Sequence, residues 1–262
     1  RVRIRISDFM HELDRPLWEL GVPAKSEHNE GAPAQHELAS VFGIANVDCD
    51  RNQIVMDMMR VVAKEKGLAC LLHEKPFRGV NGSGKHHNYS LVTDDGINLL
   101  SPGKDPEHNL LFQLVLCAFI EGVDSYADLL RLACATANND HRLGGFEAPP
   151  AIISMFLGDY LCGVLEKTAH GDSEIHSDRS YMRLGAPQLP DVLRDDADRN
   201  RTSPFAFTGN KFEFRMVGST QPAALPDAFI NTIIADVFQR FADRLEAAGE
   251  EKREETAVAI IR

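Results

Sequence analysis

The stretch that most limits what this chain can fold into is residues 75–91, KPFRGVNGSGKHHNYSL, where a glycine-rich turn crowded with polar groups gives way at once to alternating residues. Gly79, Gly82 and Gly84 permit backbone angles closed to other residues and let a ligand approach main-chain N–H and C=O groups. If residues 86–92 form a strand, His86, Asn88 and Ser90 share one face, and His87, Tyr89 and Leu91 share the other. One row then meets a ligand while Tyr89 and Leu91 pack inward. A phosphate-binding P-loop is excluded, because it needs a Lys followed by Ser or Thr at the mouth of a helix, and Lys85 runs into His-His-Asn-Tyr. On glycine and histidine content alone, an ordinary hairpin with surface histidines accounts for the same residues.

With 262 residues, 44% of them hydrophobic, the chain has material for one large domain or two small ones. No apolar run of eighteen residues is free of charge and no signal-peptide order opens the chain, so a soluble cytoplasmic protein is expected. The first residue is Arg1, and residues 257–262 break off within an apolar helix face, so both ends read as cut. Five cysteines, widely spaced and without a C-x-x-C pair, read as buried thiols and not as disulfides or a zinc site. The formal charge of −11 and the absence of Lys/Arg clusters disfavour nucleic acid. An acidic protein can still hold a phosphorylated small molecule if divalent cations lie between its carboxylates and the phosphates.

Along the chain, residues 8–20 predict a helix with Phe9, Leu13, Leu17 and Leu20 on one face, capped at Ser7 or Asp8 and interrupted near Pro16. Residues 22–42 predict two strands broken near Gly31 and Pro33. There His28 shares a face with Glu30, and Gln35 with Glu37, so a hairpin sets the two glutamates beside one space. Residues 46–66 predict an amphipathic helix with Val47, Ile54, Met58, Val61 and Val62 as its apolar stripe and Gly67 as its stop. A short strand over 68–72 leads into the glycine-rich loop, and residues 99–103 close the strand pair that follows. Helices over 105–121 and 124–139 meet at Gly122, and another runs over 150–167. Residues 138–149, NNDHRLGGFEAP, form a loop, and 168–200 a polar excursion with little core. At 211–216, Phe212, Phe214 and Met216 alternate with Lys211, Glu213 and Arg215, the pattern of a half-buried strand with a charged outer face.

Taken together these segments resemble the glutamine synthetases, over residues 17–245 and most closely the type III form. Asn81, Gly82, Ser83, Gly84 and His86 match the family's Asn-Gly-Ser-Gly-x-His segment. His28-x-Glu30 and Gln35-x-Glu37 match its paired metal-binding glutamates, and Arg142-Leu143 before Glu147-Ala148-Pro149 matches its flap. Asn200-Arg201-Thr202 with the strand at 211–216 matches the strand carrying a metal-ligating Glu and a glutamate-binding Arg. The resemblance implies an α+β catalytic domain, with a curved antiparallel sheet lining the site and helices outside. It implies ATP-dependent ligation of ammonia to glutamate through γ-glutamyl phosphate, with Mg2+ or Mn2+ held by Glu30, Glu37, His86 and Glu213.

By the same resemblance Glu147 is the base that deprotonates ammonium, while Arg142 and Arg201 oppose the phosphate. Asn81, Gly82, Arg142 and Arg215 hold glutamate. Phe42, Asn88, Ser90, Lys211 and Arg201 lie near the nucleotide, Phe42 against adenine unless it is simply a core aromatic. A homo-oligomer of two hexameric rings is implied as well. The family's upstream Glu-x-Glu strand and N-terminal β-grasp domain have no counterpart in residues 1–27, and Ala206 stands where type I enzymes have a second nucleotide-facing arginine. The sequence is therefore expected to be a partial catalytic domain. Two rival readings remain: a ligase that glutamylates another amine, and a noncatalytic protein that keeps the fold.

Overall fold

A computed structural model describes residues 2–171, 181–182, 192–193, 197–198 and 200–262, with backbone alone at 181–182 and 192–193. In chain order its elements are α1 (Ile4–Glu19), β1 (Ala24–Asn29), β2 (His36–Ser40), α2 (Ala45–Glu65), β3 (Gly84–Tyr89), α3 (Leu110–Ser125), α4 (Ala127–Ala133), α5 (Ala137–Arg142), β4 (Met155–Phe156), α6 (Asp159–His170), β5 (Tyr181–Met182), β6 (Val192–Leu193), β7 (Phe205–Phe207), β8 (Phe212–Gly218), α7 (Ala224–Ala248) and α8 (Arg253–Ile261). Helices and short strands mix as an α+β chain should. The backbone divides into two compact units. The first comprises Arg1–Lys85, Ala133–Ala148 and Met216–Phe229, and the second His86–Leu132, Pro149–Arg215 and Ile230–Arg262.

In the first unit, α1 lies on α2. Leu13 and Leu17, one turn apart, are fully buried against Val22, Val55 and Val62, with Phe9, Ile54 and Met58 packed round them. The predicted stripe holds at 9, 13 and 17, but the helix starts four residues earlier than expected and runs through Pro16. Proline there lacks one N–H near the helix end, and its carbonyl still accepts from Leu20 N at 3.0 Å. Leu20 points outward. Gly67 stops α2 as predicted: it takes φ +64°, Leu68 N donates to Ala63 O at 2.8 Å and Gly67 N to Lys64 O at 3.2 Å, which is the Schellman arrangement. The buried face of α2 is Val55, Met56, Val62 and Ala63, while Val47 and Val61 are exposed, so the stripe is rotated from the expected one. Residues 68–72 form no strand; their apolar composition finds no ladder partner.

In the second unit a four-stranded sheet has the order β3-β8-β7-β4. Strands β7 and β8 are antiparallel, with Phe205 opposite Phe214 and Phe207 opposite Phe212. The two-residue β4 pairs parallel to β7, so the expected antiparallel sheet is mixed at its edge. The four phenylalanines form one face, and α3 supplies Phe112 and Phe119, seven residues apart, to cover it. Phe119 stacks on Phe212 at a centroid distance of 4.8 Å and meets Tyr89 edge-on at 6.0 Å. The strand pair expected after β3 shrinks to a single bridge, Val92 to Asn98.

Gly122 does not join two helices; it lies inside α3. A Cβ there would stand 2.8 Å from Ile233 Cγ2 and 3.2 Å from Ile234 Cδ1, so this glycine admits α7 closely. Helix α3 starts at Leu110 instead of Asp105, with Asn109 Oδ1 accepting from Phe112 N at 3.1 Å as its cap. The helix expected over 150–167 is reduced to α6, and the excursion expected over 168–200 lies largely outside the described residues. On the far side of α3, Ala118 packs with Val237 and Phe241, flanked by Cys117, Phe238 and Ile260.

No disulfide joins any of the five cysteines, but only Cys134 is buried as expected; Cys49, Cys70 and Cys117 are half-buried and Cys162 is exposed. Burial pushes the Cys49 thiol up to about 12 and the Cys117 thiol up to about 11, which keeps both protonated and unreactive at neutral pH. Among the described residues no single helix is long and apolar enough to cross a membrane. Replacing Phe119, fully buried at the centre of the aromatic cluster, should test the assigned core: Phe119→Ala is expected to lower unfolding free energy by about 3–5 kcal/mol in urea denaturation.

Candidate functional site

Three segments of the first unit converge. The β1–β2 hairpin sets His28 directly opposite Glu37, and Glu30, just past the strand end, comes round to the same space. His28 Nε2 lies 3.0 Å from Glu30 Oε1 and 3.5 Å from Glu37 Oε2. The three ligand atoms fall within 4.8 Å of one another. Two carboxylates and an imidazole at that spacing fit a divalent cation with oxygen preference and tolerance of nitrogen, such as Mn2+ or Mg2+. His28 was placed by the sequence on the face of Glu30 but not counted as a donor; its position opposite Glu37 follows from hairpin register.

The flap segment approaches this hairpin. Glu147 takes a left-handed backbone, φ +60°, and its carboxylate lies over Gly31, where a Cβ would stand 2.6 Å from Oε2. Asn81 Nδ2 donates to Glu147 Oε2 at 3.4 Å, and Gln35 Nε2 donates to Gly82 O at 3.1 Å. Hairpin, glycine-rich loop and flap are thus tied together. Phe42 is 91% exposed, which dismisses the core-aromatic alternative.

Arg142 is buried, at 3% exposure, although it stands in a stretch whose composition reads as a loop. Its Nε donates to Asn139 Oδ1 at 2.9 Å and one terminal nitrogen to Val217 O at 3.4 Å. Asn139 in turn donates to Cys134 O and Met216 O, both at 2.8 Å. Cβ atoms at Gly82 and Gly84 would stand 2.6 Å from Arg142 Cγ and 2.5 Å from Arg142 Cζ. Of the three loop glycines only Gly79 has positive φ, at +75°. Gly84 is bare because an arginine side chain occupies the space, and Gly82 because that side chain and Glu74 O, 2.4 Å from a Cβ there, both do, a reason that glycine content alone does not reveal.

In the second unit, His86 Nδ1 is 3.1 Å from Glu213 Oε1, and Glu213 Oε2 accepts from Arg215 Nε at 2.6 Å. Arg215 is buried rather than on an outer charged face, because Asp198 covers it: a terminal nitrogen donates to Asp198 Oδ2 at 3.0 Å and to Asp198 O at 3.1 Å. Asp198 also accepts from Thr202 N, Thr202 Oγ1 and Ser203 N at 2.9–3.0 Å. Arg201 stands in this turn at φ +52°. Asp198 was missed within a stretch read as having little core, because the Thr and Ser it binds lie four and five residues on, beyond the two-residue reach of an Asx turn. Ala206, opposite Glu213 across β7 and β8, is fully buried. Asn88 and Ser90 lie on the exposed row of β3 and its exit, and Tyr89 is buried, as alternation predicts. Lys211 lies just before β8, its carbonyl accepting from Thr208 N at 2.8 Å.

Residues 3–154 match the family model described as the glutamine synthetase catalytic domain. The chain belongs to the glutamine synthetase family. A glutamine synthetase of Butyrivibrio fibrisolvens is 56% identical over 212 residues, 81% of this chain and 30% of its own length. A type-3 glutamine synthetase of Dictyostelium discoideum is 50% identical over 232 residues, 88% of this chain and 32% of its own. The cryo-EM structure of Plasmodium falciparum glutamine synthetase matches 88% of this chain and 38% of its own with a TM-score of 0.63 at 18% identity, a likeness of fold. The chain spans about a third of the length of these curated relatives.

Glu213 offers a pH test of the second cluster. Burial alone would raise its carboxyl, but the hydrogen bonds and charges of His86 and then Arg215 outweigh burial and bring it from an ordinary 4.5 to about 2. A depressed carboxyl stabilises the fold above its unfolded value and loses that contribution as pH falls. Wild-type protein should therefore lose more unfolding free energy than Glu213→Gln between pH 5 and about pH 2, measured by denaturant titration at each pH; parallel curves would contradict the pairing.

Proposed function

We propose that this chain supplies much of the catalytic centre of an ATP-dependent glutamate–ammonia ligase. The observation that carries this reading is the meeting, within a family member, of the His28–Glu30–Glu37 cluster with Glu147 and Asn81 around one hairpin. Glu30 and Glu37 with His28, and His86 with Glu213, are the donors for Mg2+ or Mn2+. When bound, such cations neutralise phosphate charge during in-line phosphoryl transfer.

The remaining roles belong to the chain's own groups. Arg215, Asn81 and Gly82 hold glutamate; Arg142 orders the loop that carries Asn81 and Gly82, and with Arg201 it opposes phosphate. Phe42 offers an exposed ring to adenine, with Asn88, Ser90 and Lys211 near the rest of the nucleotide. The side-chain carboxylate of glutamate takes the terminal phosphoryl group of ATP, giving γ-glutamyl phosphate and ADP. Glu147 takes a proton from ammonium; ammonia attacks the acyl carbon and phosphate leaves, giving glutamine. Phosphorylation is required because a free carboxylate is a poor electrophile with a poor leaving group. A homo-oligomer in the cytoplasm belongs to the same proposal.

Two measurements on the full-length protein test it. Glu213→Ala should weaken Mn2+-dependent nucleotide binding about 10–100-fold, whereas Glu147→Ala should leave that affinity within about twofold and slow glutamine formation about 10²–10⁴-fold. Unchanged nucleotide affinity after the Glu213 substitution would remove its assigned role. ADP release supported by polyamines and not by ammonium would shift the reading to another glutamyl–amine ligase, and nucleotide binding without ADP formation would favour a noncatalytic protein.

A further inference from the structure

Glu74, just ahead of the glycine-rich loop and outside any helix or strand, is fully buried. A carboxylate is kept in such a place only if its partners repay its lost hydration. Its Oε1 accepts from Thr220 N at 3.0 Å and from the Thr220 hydroxyl. Gly218 makes room for it: a Cβ there would stand 2.4 Å from Glu74 Oε1. Among the described residues Glu74 Oε2 has no hydrogen-bond partner.

The main chain of the same residue turns the other way. Glu74 O accepts from Ser83 N at 2.8 Å, Ser83 Oγ donates to His73 O at 3.1 Å, and a Cβ on Gly82 would stand 2.4 Å from Glu74 O. One residue therefore holds the glycine-rich loop by its backbone and the turn after β8 by its side chain. Lys85 spans the same two segments. Its Nζ donates to Gln221 O and lies 3.3 Å from Met56 Sδ, while Gln221 Oε1 accepts from Gly218 N at 2.8 Å. Arg142 lies between these clamped segments, against Gly82 and Gly84 on one side and Val217 O on the other.

We propose that Glu74 is a positioning residue: it locks the glycine-rich loop to the turn after β8 and so places Asn81, Gly82 and Arg142. Its effect on glutamate rests on the ligase reading; the clamp itself does not.

The test uses the full-length protein, with hydrogen–deuterium exchange and steady-state kinetics on Glu74→Ala and Glu74→Gln. Glu74→Ala should speed exchange in peptides covering 76–85 and 216–221 about tenfold or more while sparing α1. It should also raise the KM for glutamate about tenfold with the KM for ATP held within about twofold, the scale of losing a charged hydrogen bond. Glu74→Gln keeps the shape and an oxygen that accepts from Thr220, so it should recover most of the loss. Unchanged loop exchange, a Glu74→Gln variant no better than Glu74→Ala, or equal rises in both KM values would each overturn the proposal. If the wild-type protein forms no glutamine, the ligase reading fails while exchange and rescue still decide the clamp.

Discussion

A guanidinium laid on bare backbone organises the first unit. Arg142 is buried where side chains at 82 and 84 would collide with it, and it is held by Asn139 and Val217. Hydrogen bonds to a charged group contribute about 1.5–3 kcal/mol each, against about 0.5–1.5 for neutral ones, and an unmet one is correspondingly expensive. Asn139 is committed in turn to Cys134 and Met216. The helix α5, the loop at 82–84 and the end of β8 therefore have one mutual arrangement in which all these groups are satisfied. The position of Asn81, and through it the contact with Glu147, follows from that arrangement.

Both clusters of functional side chains carry more negative than positive charge. In the hairpin two carboxylates share one imidazole; around Arg215 two carboxylates share one guanidinium, with His86 alongside. Such sets are uncomfortable without a further cation and become favourable when one is supplied. This gives the chain's overall acidity a local purpose that is compatible with a polyphosphate ligand.

What could be read in the sequence was local. Alternation and the Gly31/Pro33 break gave the hairpin and the shared space of Glu30 and Glu37, and Gly67 marked the end of α2, because period and turn chemistry involve neighbours only. Gly122 was misread as a joint because its reason lies in Ile233, more than a hundred residues away. Gly82 and Gly84 were read as room for a ligand when the occupant is Arg142. For the strand at 212–218, alternation told which residues share a face but not what covers that face, so Arg215 was expected in water while Asp198 encloses it. Residues 68–72 have the composition of a strand without an edge to pair with. In each case the deciding atom belongs to a distant segment, which no window of sequence contains.

Among the described residues three other than glycine occupy left-handed backbone: Ala34, Glu147 and Arg201. They stand at the hairpin turn, the flap and the turn beside Arg215. For L-residues that conformation is disfavoured by roughly 1–2 kcal/mol, and glycine or asparagine relieves it. A laboratory selection for heat resistance alone would therefore drift toward glycine at 147 and 201, erasing the carboxylate and guanidinium to which the proposed reaction gives work.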